Sequence, residues 1–323
     1  MMDIEKIKTD ILNGKEITKK QALELYDQPL EILCKAADEI RKHFCSNIFD
    51  MCTIINGKSG RCPENCKFCA QSAHFDTKAA EYPLLPDDDI VAAARHSESQ
   101  GIMRFSIVTS GRRLSDGEVE QMCATIRRIK SQSKISVCVS FGLLDKAQYI
   151  KLKNAGVDRV HNNLETSKRY FPNICTTHSF DDKINAIKAA KTAGLSVCSG
   201  GIMGLGETPE DRIDMALTLR ELGIKSIPLN ILNPIAGTPL SQNKPLCERD
   251  IRRIAAVYRF ILPDAEIRLA GGRGLLKDKG KSCFESGANA AITGDMLTTA
   301  GISAKTDMEL LGSLGYKVGY CHE

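Results

Sequence analysis

Hydrophobic residues along the chain fall into two alternating kinds of segment. Short apolar runs, typical of buried strands, are separated by longer segments in which apolar residues recur every three or four positions, typical of amphipathic helices. The predicted strands are 52–56, 104–109, 135–141, 157–163, 195–202, 225–232, 265–269 and 289–293. The clearest predicted helices are 116–130, 180–193, 209–222 and 247–261.

Eight strands that alternate with helices predict an α/β fold with a parallel sheet. The most economical arrangement is a (β/α)8 TIM-type barrel over residues 51–323, preceded by an N-terminal helical extension over residues 1–50. An open doubly wound sheet is the alternative, but it usually has a glycine-rich phosphate turn after its first strand. A cluster of cysteines follows the first strand of this chain.

The predicted strands place unusual side chains on their inward faces. Ser106, Cys138, Cys198 and Arg268 each alternate with apolar neighbours that must pack under the helices. A barrel interior is ordinarily filled with Val, Ile and Leu. We therefore expect this barrel to enclose a polar cavity that can hold ligands.

Composition excludes several classes of partner. With 44 basic and 40 acidic residues the net charge is only +4, and no Trp is present, so nucleic-acid binding is not expected. No apolar stretch approaches the roughly 20 residues needed to span a bilayer. The first 20 residues are charged and lack an apolar signal region, so the sequence predicts a cytoplasmic protein without a membrane partner.

Thirteen cysteines in such a chain point to metal binding, catalysis or buried thiols rather than disulfides. Cys62, Cys66 and Cys69 follow the first predicted strand with the spacing C-x3-C-x2-C. Three thiolates on a four-iron cluster leave one iron open for another ligand. A structural zinc site is the alternative, with His74 as its fourth ligand.

The cysteine segment NGKSGRCPENCKFCAQS at residues 56–72 resembles the biotin synthase family of the radical S-adenosylmethionine (SAM) superfamily. The resemblance extends over about residues 50–315, through VHNNLETS at 160–167, CSGGIMGLGE at 198–207, PLNILNPIAGTP at 228–239, IRLAGGR at 267–273 and GDMLTT at 294–299. It implies that Cys62, Cys66 and Cys69 hold a [4Fe–4S] cluster whose open iron binds SAM.

The resemblance also implies the reaction. Reductive cleavage of SAM gives a 5′-deoxyadenosyl radical, which removes hydrogen from two carbons of dethiobiotin, and an auxiliary iron–sulfur cluster supplies the inserted sulfur. The implied partners are dethiobiotin and an electron donor of the flavodoxin or ferredoxin type, and the family is commonly homodimeric.

The family motifs assign ligand contacts to this chain. The residues matched to SAM contacts are Phe68, Glu165, Lys183, Gly200, Ile202, Gly204 and Glu207. Asn163 and Asn230 match contacts to the ureido ring of dethiobiotin, and His161 stands where the family has a third Asn. An amide side chain offers both a donor and an acceptor, as a cyclic urea requires.

The auxiliary cluster is where this chain departs from the family. Cys138, Cys198 and Arg268 match its usual ligands, but Ser106 replaces the remaining Cys. A hydroxyl oxygen is a harder and poorer iron ligand than a thiolate. We hypothesise that Cys175 joins Cys138 and Cys198, around a [2Fe–2S] cluster or a larger variant. The seven other cysteines are interpreted as packing or surface thiols: Cys34, Cys45, Cys52, Cys123, Cys247, Cys283 and Cys321.

Three other functions compete with this interpretation. A different radical SAM enzyme of the biotin synthase-like group, acting on another small molecule, would not need Cys138, Cys198 and Arg268 together. An iron–sulfur electron carrier would not need a whole barrel. A zinc-stabilised binding barrel would lack the absorbance of an iron–sulfur protein near 400 nm.

Overall fold

A computed structural model describes residues 3–321 of the chain. The first three helices precede every strand: α1 (Ile4–Leu12), α2 (Lys19–Tyr26) and α3 (Leu30–Cys45). The Thr18 hydroxyl accepts from the Gln21 backbone N–H, and the Gln21 side chain accepts from the Thr18 N–H, so a capping box starts α2. These helices pack chiefly against two later helices, α8 (Pro209–Glu221) and α9 (Glu248–Ile261).

Parallel strands form a closed barrel. In chain order the strands are β1 (Ile48–Lys58), β2 (Arg104–Thr109), β3 (Ser136–Ser140), β4 (Arg159–His161), β5 (Ser196–Cys198), β6 (Gly201–Met203), β7 (Ser226–Ile231), β8 (Glu266–Leu269), β9 (Ala290–Thr293) and β10 (Lys317–Val318). Neighbours in the barrel follow chain order, and β1 pairs with β9 to close it. The predicted (β/α)8 barrel is therefore confirmed.

Helices cover the outside of the barrel. Besides α8 and α9 they are α4 (Asp87–Ser99), α5 (Asp116–Gln132), α6 (Lys146–Ala155), α7 (Phe180–Thr192), α10 (Lys281–Phe284) and α11 (Ala304–Ser313). Capping boxes begin α5 at Ser115, α6 at Asp145 and α7 at Ser179. One continuous apolar core lies between the helices and the outward faces of the strands.

The predicted strand 195–202 is interrupted. Its first part, β5, and its second part, β6, both pair with β7, and Ser199 and Gly200 separate them. Pro228 in β7 has no N–H to donate, and a Cβ on Gly200 would lie 2.1 Å from the Pro228 carbonyl oxygen. The two backbones approach so closely that only glycine fits between them.

The strand β10 was not predicted. It is a two-residue strand that pairs with the start of β1, Ile48 with Lys317 and Phe49 with Val318. Two residues contain too little sequence pattern to indicate a strand.

Candidate active site

The three cysteines of the C-x3-C-x2-C segment lie in one tight loop after β1. The loop is closed by backbone hydrogen bonds from Cys62 N to the Gln71 oxygen at 3.0 Å and from Cys69 N to the Cys66 oxygen at 2.9 Å. Burial, together with the charge of the neighbouring Cys62, raises the pKa of Cys69 to about 11. The three cysteines thus share one loop, but their sulfur atoms are not a group within 4.8 Å of one another; among the described residues, that group is Cys66, Cys175 and His178.

A second loop supports the cysteine loop. The Asn65 side chain accepts from the Thr176 N–H at 2.9 Å and donates to the Thr176 hydroxyl at 2.6 Å. The Lys67 N–H donates to the Ile174 oxygen at 3.0 Å. The position of the three cysteines therefore depends on the loop between β4 and α7.

Cys175 lies in this second loop and not among the residues that line the barrel cavity. Its sulfur lies within 4.8 Å of the Cys66 sulfur and of a His178 ring nitrogen. A hydrogen bond between the two thiols raises the pKa of Cys66 and lowers that of Cys175. The hypothesis that Cys175 joins Cys138 and Cys198 is therefore not supported by the structure. The loop that contains Cys175 packs on the cysteine loop, away from those two residues.

The zinc alternative finds no support at His74. The His74 Nε2 atom is hydrogen-bonded to the Pro63 carbonyl oxygen at 3.0 Å. Among residues 3–321, the group of three ligating side chains whose donor atoms lie within 4.8 Å of one another is Cys66, Cys175 and His178. His74 and the three-cysteine motif do not form a tetrahedral set.

The barrel encloses a cavity of about 350 Å³. It extends from the strand interiors to the loops that follow β7, β8 and β9. Active sites of such barrels lie at this end of the strands. Seven of the strands and the turn after β4 contribute twelve lining side chains that carry nitrogen, oxygen or sulfur: Cys52, Arg104, Ser106, Cys138, Ser140, Arg159, His161, Asn163, Glu165, Cys198, Asn230 and Arg268.

Three thiols face this cavity. Cys138 on β3 and Cys198 on β5 were predicted there, and Ser106 lies between β1 and β3 on β2. Cys52 on β1 is the third: it is buried, as a packing thiol would be, but its side chain lines the cavity. The Cys52 thiol is hydrogen-bonded to Cys138, which lowers the pKa of Cys138 to about 7.

Cys198 has its own polar neighbours. The Ser226 hydroxyl donates to its sulfur at 3.4 Å, and His161 is hydrogen-bonded to it. Burial raises the pKa of Cys198, but the hydrogen bond from His161 and the nearby Arg268 outweigh burial, so the pKa is lowered. His161 thus contacts a sulfur at the position where an Asn contact to substrate was expected.

Charged residues form the floor of the cavity, and we call Asp50, Arg104, Arg159, Glu266 and Arg268 the floor cluster. Asp50 accepts from Arg104 at 2.7 Å and from Arg268 at 2.6 Å, and Glu266 accepts from Arg159 at 2.8 Å. Three guanidinium groups face two carboxylates, so the cluster carries one excess positive charge. All five side chains are buried.

This floor cluster fits an anionic iron–sulfur cluster above it. The buried Arg159 Nε has no hydrogen-bond partner in the described part of the chain. A buried, incompletely paired cation is costly unless an anion or acceptor faces it. A cluster with sulfide and thiolate ligands is such an anion.

The two asparagines predicted for substrate lie in the cavity wall. The Asn163 oxygen accepts from the Gly200 N–H at 3.1 Å, and the Asn230 oxygen accepts from the Gly271 N–H at 2.9 Å. Each amide group also donates once, Asn163 to Glu165 and Asn230 to the Gly201 oxygen. An amide has two N–H groups and two lone pairs, so each can still donate and accept once.

Of the predicted SAM contacts, Phe68, Glu165 and Ile202 line the cavity. Glu165 has a left-handed backbone with φ of 71°, and backbone strain of this kind concentrates at functional sites. Burial raises its pKa, although the charge of Lys183 opposes this.

The other predicted SAM contacts do not line the cavity. Lys183 is half-buried, and its charge acts on Glu165 and Cys66 from the first turn of α7. The Glu207 carboxylate accepts from the Gly204 N–H and from Arg212 Nε, at 2.8 and 2.6 Å. Gly200 separates β5 from β6, as described above. These contacts give Gly200, Gly204 and Glu207 structural roles in the turn.

Comparison with known proteins agrees with this geometry. A family model described as "Radical SAM superfamily" matches residues 56–219, and one described as "Biotin and Thiamin Synthesis associated domain" matches residues 228–317. A protein named biotin synthase from Brachyspira hyodysenteriae is 59% identical over 98% of this chain and 95% of its own length. The chain belongs to the biotin synthase family of radical SAM enzymes.

Other members of this family are similarly close. Biotin synthases from Akkermansia muciniphila and from Clostridium botulinum strain Hall are 56% and 54% identical, over 95% and 98% of this chain and 96% and 100% of their own lengths. Among solved structures, a methylornithine synthase aligns with a TM-score of 0.85 at 19% identity over 98% of both chains. The hydrogenase maturase HydG from Carboxydothermus hydrogenoformans aligns with 0.84 at 16%, over 99% of this chain and 80% of its own. At such identities these structures show the barrel fold alone.

Members of this family bind a [4Fe–4S] cluster and SAM and act on small molecules. In the described residues 3–321, no helix is both long and apolar enough to cross a membrane.

Sequence reasoning missed Cys52 and the two floor arginines Arg104 and Arg159. Period-two alternation, extended to β1, β2 and β4, places all three inward. In β1 the inward face carries Cys52 and Ile54, and the outward face carries Met51, Thr53 and Ile55. Neither face is distinctly polar, so the pattern does not mark Cys52 as inward.

Proposed function

We propose that this protein converts dethiobiotin to biotin by radical SAM sulfur insertion. The observation that carries the proposal is one cavity that joins buried thiols above a cationic floor to two asparagines with free hydrogen-bonding capacity. The cysteine loop lies beside the same cavity, since Phe68 of that loop lines it. Sulfur donor, substrate recognition and radical generation would thus share one enclosed space.

We propose distinct roles for the groups around this space. Cys62, Cys66 and Cys69 would hold the [4Fe–4S] cluster, and Cys138, Cys198 and Arg268 would hold the auxiliary cluster. When bound, the first cluster supplies the electron that cleaves SAM, and the second supplies sulfur. The protein contributes orientation and exclusion of water.

For SAM, we propose that Phe68, Ile202 and Glu165 contact the nucleoside. A buried carboxylate such as Glu165 can accept from vicinal ribose hydroxyls. Lys183 would attract the SAM carboxylate, because its ammonium lies close enough to Cys66 and Glu165 to affect the pKa of both. The Glu207 side chain already accepts from the Gly204 N–H and from Arg212 Nε, so we do not assign it a direct contact with SAM.

For dethiobiotin, we propose that Asn163 and Asn230 bind the ureido ring with the donor and acceptor that each has left. The remaining wall of the cavity contains apolar side chains suited to an aliphatic chain, among them Val108, Ile231 and Ile292. Together these surfaces match a small molecule with one polar ring and one alkyl arm.

The functional test is anaerobic reconstitution with iron and sulfide, followed by incubation with SAM, a reductant and dethiobiotin. We expect both 5′-deoxyadenosine and biotin, and neither from Cys69→Ala. Formation of 5′-deoxyadenosine without biotin would favour another radical SAM reaction on a different small molecule. Lack of both products from the reconstituted wild type would contradict the proposal.

We propose three further properties from the family resemblance: a homodimer, an electron donor of the flavodoxin or ferredoxin type, and a cytoplasmic location. Sedimentation of the reconstituted enzyme tests the first, and replacement of a chemical reductant by reduced flavodoxin tests the second. Cell fractionation tests the third.

A further inference from the structure

The cavity of this protein contains as many thiols as a three-cysteine cluster site needs, although Ser106 occupies one expected position. The third thiol belongs to Cys52, one strand away. Cys52 and Ser106 lie on β1 and β2, which pair directly, with Ile54 opposite Ser106 and Cys52 opposite Arg104. Both side chains face the interior.

Cys52 is in contact with a thiol that the family pattern identifies as a ligand. Its sulfur is hydrogen-bonded to Cys138 and lies near the guanidinium of Arg268. Cys138 also lies opposite Ser106 in the pairing of β2 with β3. The position of Cys52 thus allows it to share an iron–sulfur cluster with Cys138 and Arg268.

The other cysteines outside the first cluster do not fit this role. Cys175 lies against Cys66, and Cys45 is hydrogen-bonded to Cys321. Cys123 is fully buried in α5 on the outside of the barrel, among the residues of the apolar core. Cys52 is the candidate that the cavity itself supplies.

Charge and ligand chemistry favour a thiolate there. Soft iron–sulfur clusters take thiolate in preference to hydroxyl oxygen. The excess positive charge of the floor cluster, including the unpartnered Arg159 Nε, would be balanced by an additional thiolate ligand.

We propose that Cys52, together with Cys138, Cys198 and Arg268, ligates the auxiliary cluster and replaces the thiolate missing at Ser106. The proposal rests on the proposed function, since it deepens the assignment of the sulfur-donor site. In this proposal the ligand on β1, Cys52, takes the place of the family's usual ligand on β2.

The test isolates the auxiliary iron. In a C62A/C66A/C69A background the first cluster has no ligands, so iron and sulfide that remain belong to the auxiliary site. In that background we expect Cys52→Ser to lose the bound iron and its Mössbauer signal. Ser106→Ala, a change at the family's usual position, and Cys123→Ala, a matched buried thiol outside the cavity, should both retain them.

Folding is checked with the first cluster itself. Cys52→Ser with the other cysteines intact should keep the iron, and the absorbance near 400 nm, of the first cluster, which shows that the barrel has formed. Undiminished auxiliary iron and an unchanged Mössbauer spectrum in Cys52→Ser would overturn the proposal for Cys52 alone. A C62A/C66A/C69A protein that binds no iron would overturn it together with the proposed sulfur donor. If the auxiliary iron depends on Cys52 but the reconstituted wild-type enzyme forms no biotin, only the proposed reaction would be overturned.

Discussion

Cysteine has different roles in this chain, and its surroundings decide which. Thiols in the apolar core, such as Cys123 and Cys283, have no exposed surface and behave as small hydrophobic residues. Burial raises the pKa of both. Cys138, which is hydrogen-bonded to Cys52 and lies near Arg159 and Arg104, has a lowered pKa, and the thiolate is the form that binds metal.

Cys175 illustrates the limit of residue-level reasoning. Because its sulfur contacts Cys66 and His178, we expect Cys175→Ala to leave the auxiliary iron and its Mössbauer signal unchanged in the C62A/C66A/C69A background. Any spectral change should be confined to the first cluster in the otherwise intact enzyme. Loss of auxiliary iron in Cys175→Ala would restore Cys175 as a ligand of that site.

Asp211 at the start of α8 is a residue whose charge stabilises the fold. Its carboxylate accepts from Ser167 Oγ at 2.6 Å, from the Thr208 N–H at 2.9 Å, and from Arg169. Burial raises its pKa, but these hydrogen bonds outweigh burial and hold the pKa well below its usual range.

We expect Asp211→Asn to lower the free energy of unfolding at pH 7 by about 1–3 kcal/mol, the cost of weakening hydrogen bonds to a buried charged group. A folded-state pKa below the unfolded value of about 3.9 stabilises the protein above that pH, and the benefit declines as pH falls. Urea unfolding should therefore show the difference from wild type shrinking below about pH 4. Asp89→Asn, at an exposed carboxylate in the first turn of α4, is the control, and an equal effect there would contradict the argument.

At the scale of elements, the junction of β5 and β6 brings several functional side chains together. Gly200 packs on the Pro228 carbonyl and donates its N–H to Asn163. Glu165 pairs with Gly201 in an isolated bridge. The glycines thus position the asparagine and the strained glutamate at the cavity wall.

We expect Gly200→Ala to destabilise the protein by about 1–3 kcal/mol, because its Cβ would overlap a backbone oxygen that cannot move independently. Gly117→Ala, in α5 with open space around it, should instead leave stability unchanged or raise it by up to about 1 kcal/mol. Urea unfolding of both variants checks the prediction. If Gly200→Ala is as stable as wild type, β5 and β7 can move apart without a loss of stability, and the prediction is wrong.

The elements also show which sequence signals were sufficient. Alternation identified the inward residues Ser106, Cys138, Cys198 and Arg268, because polar side chains there alternate with apolar ones. It gave no contrast in β1, where Cys52 shares its face with Ile54. A loop has no periodic pattern of apolar residues. The contact between the thiols of Cys175 and Cys66 could therefore be seen only in the folded structure.

At the scale of the whole molecule, the floor cluster connects four strands of the barrel. Asp50 on β1 holds Arg104 on β2 and Arg268 on β8, while Glu266 on β8 holds Arg159 on β4. The same buried charges brace the barrel and set the electrostatic potential of the proposed sulfur-donor site.

We expect Asp50→Asn to lower the free energy of unfolding by about 3–5 kcal/mol, since two buried arginines lose their shared counterion. Reconstitution of the proposed auxiliary cluster should partly restore stability, because an anionic cluster would supply compensating charge. Thermal unfolding of the variant with and without bound cluster measures both effects. A variant as stable as wild type without cluster would contradict the bracing role.

The closure of the barrel has a consequence for biosynthesis. Because β1 pairs with β9, the first strand lacks one of its neighbours until residues 290–293 have left the ribosome. The cysteine loop likewise depends on Asn65 contacts to Thr176 and Thr177, more than one hundred residues further along the chain. We therefore expect iron–sulfur loading at the cysteine loop, and at the proposed auxiliary site, to follow translation, with clusters delivered to a completed barrel rather than to a nascent chain.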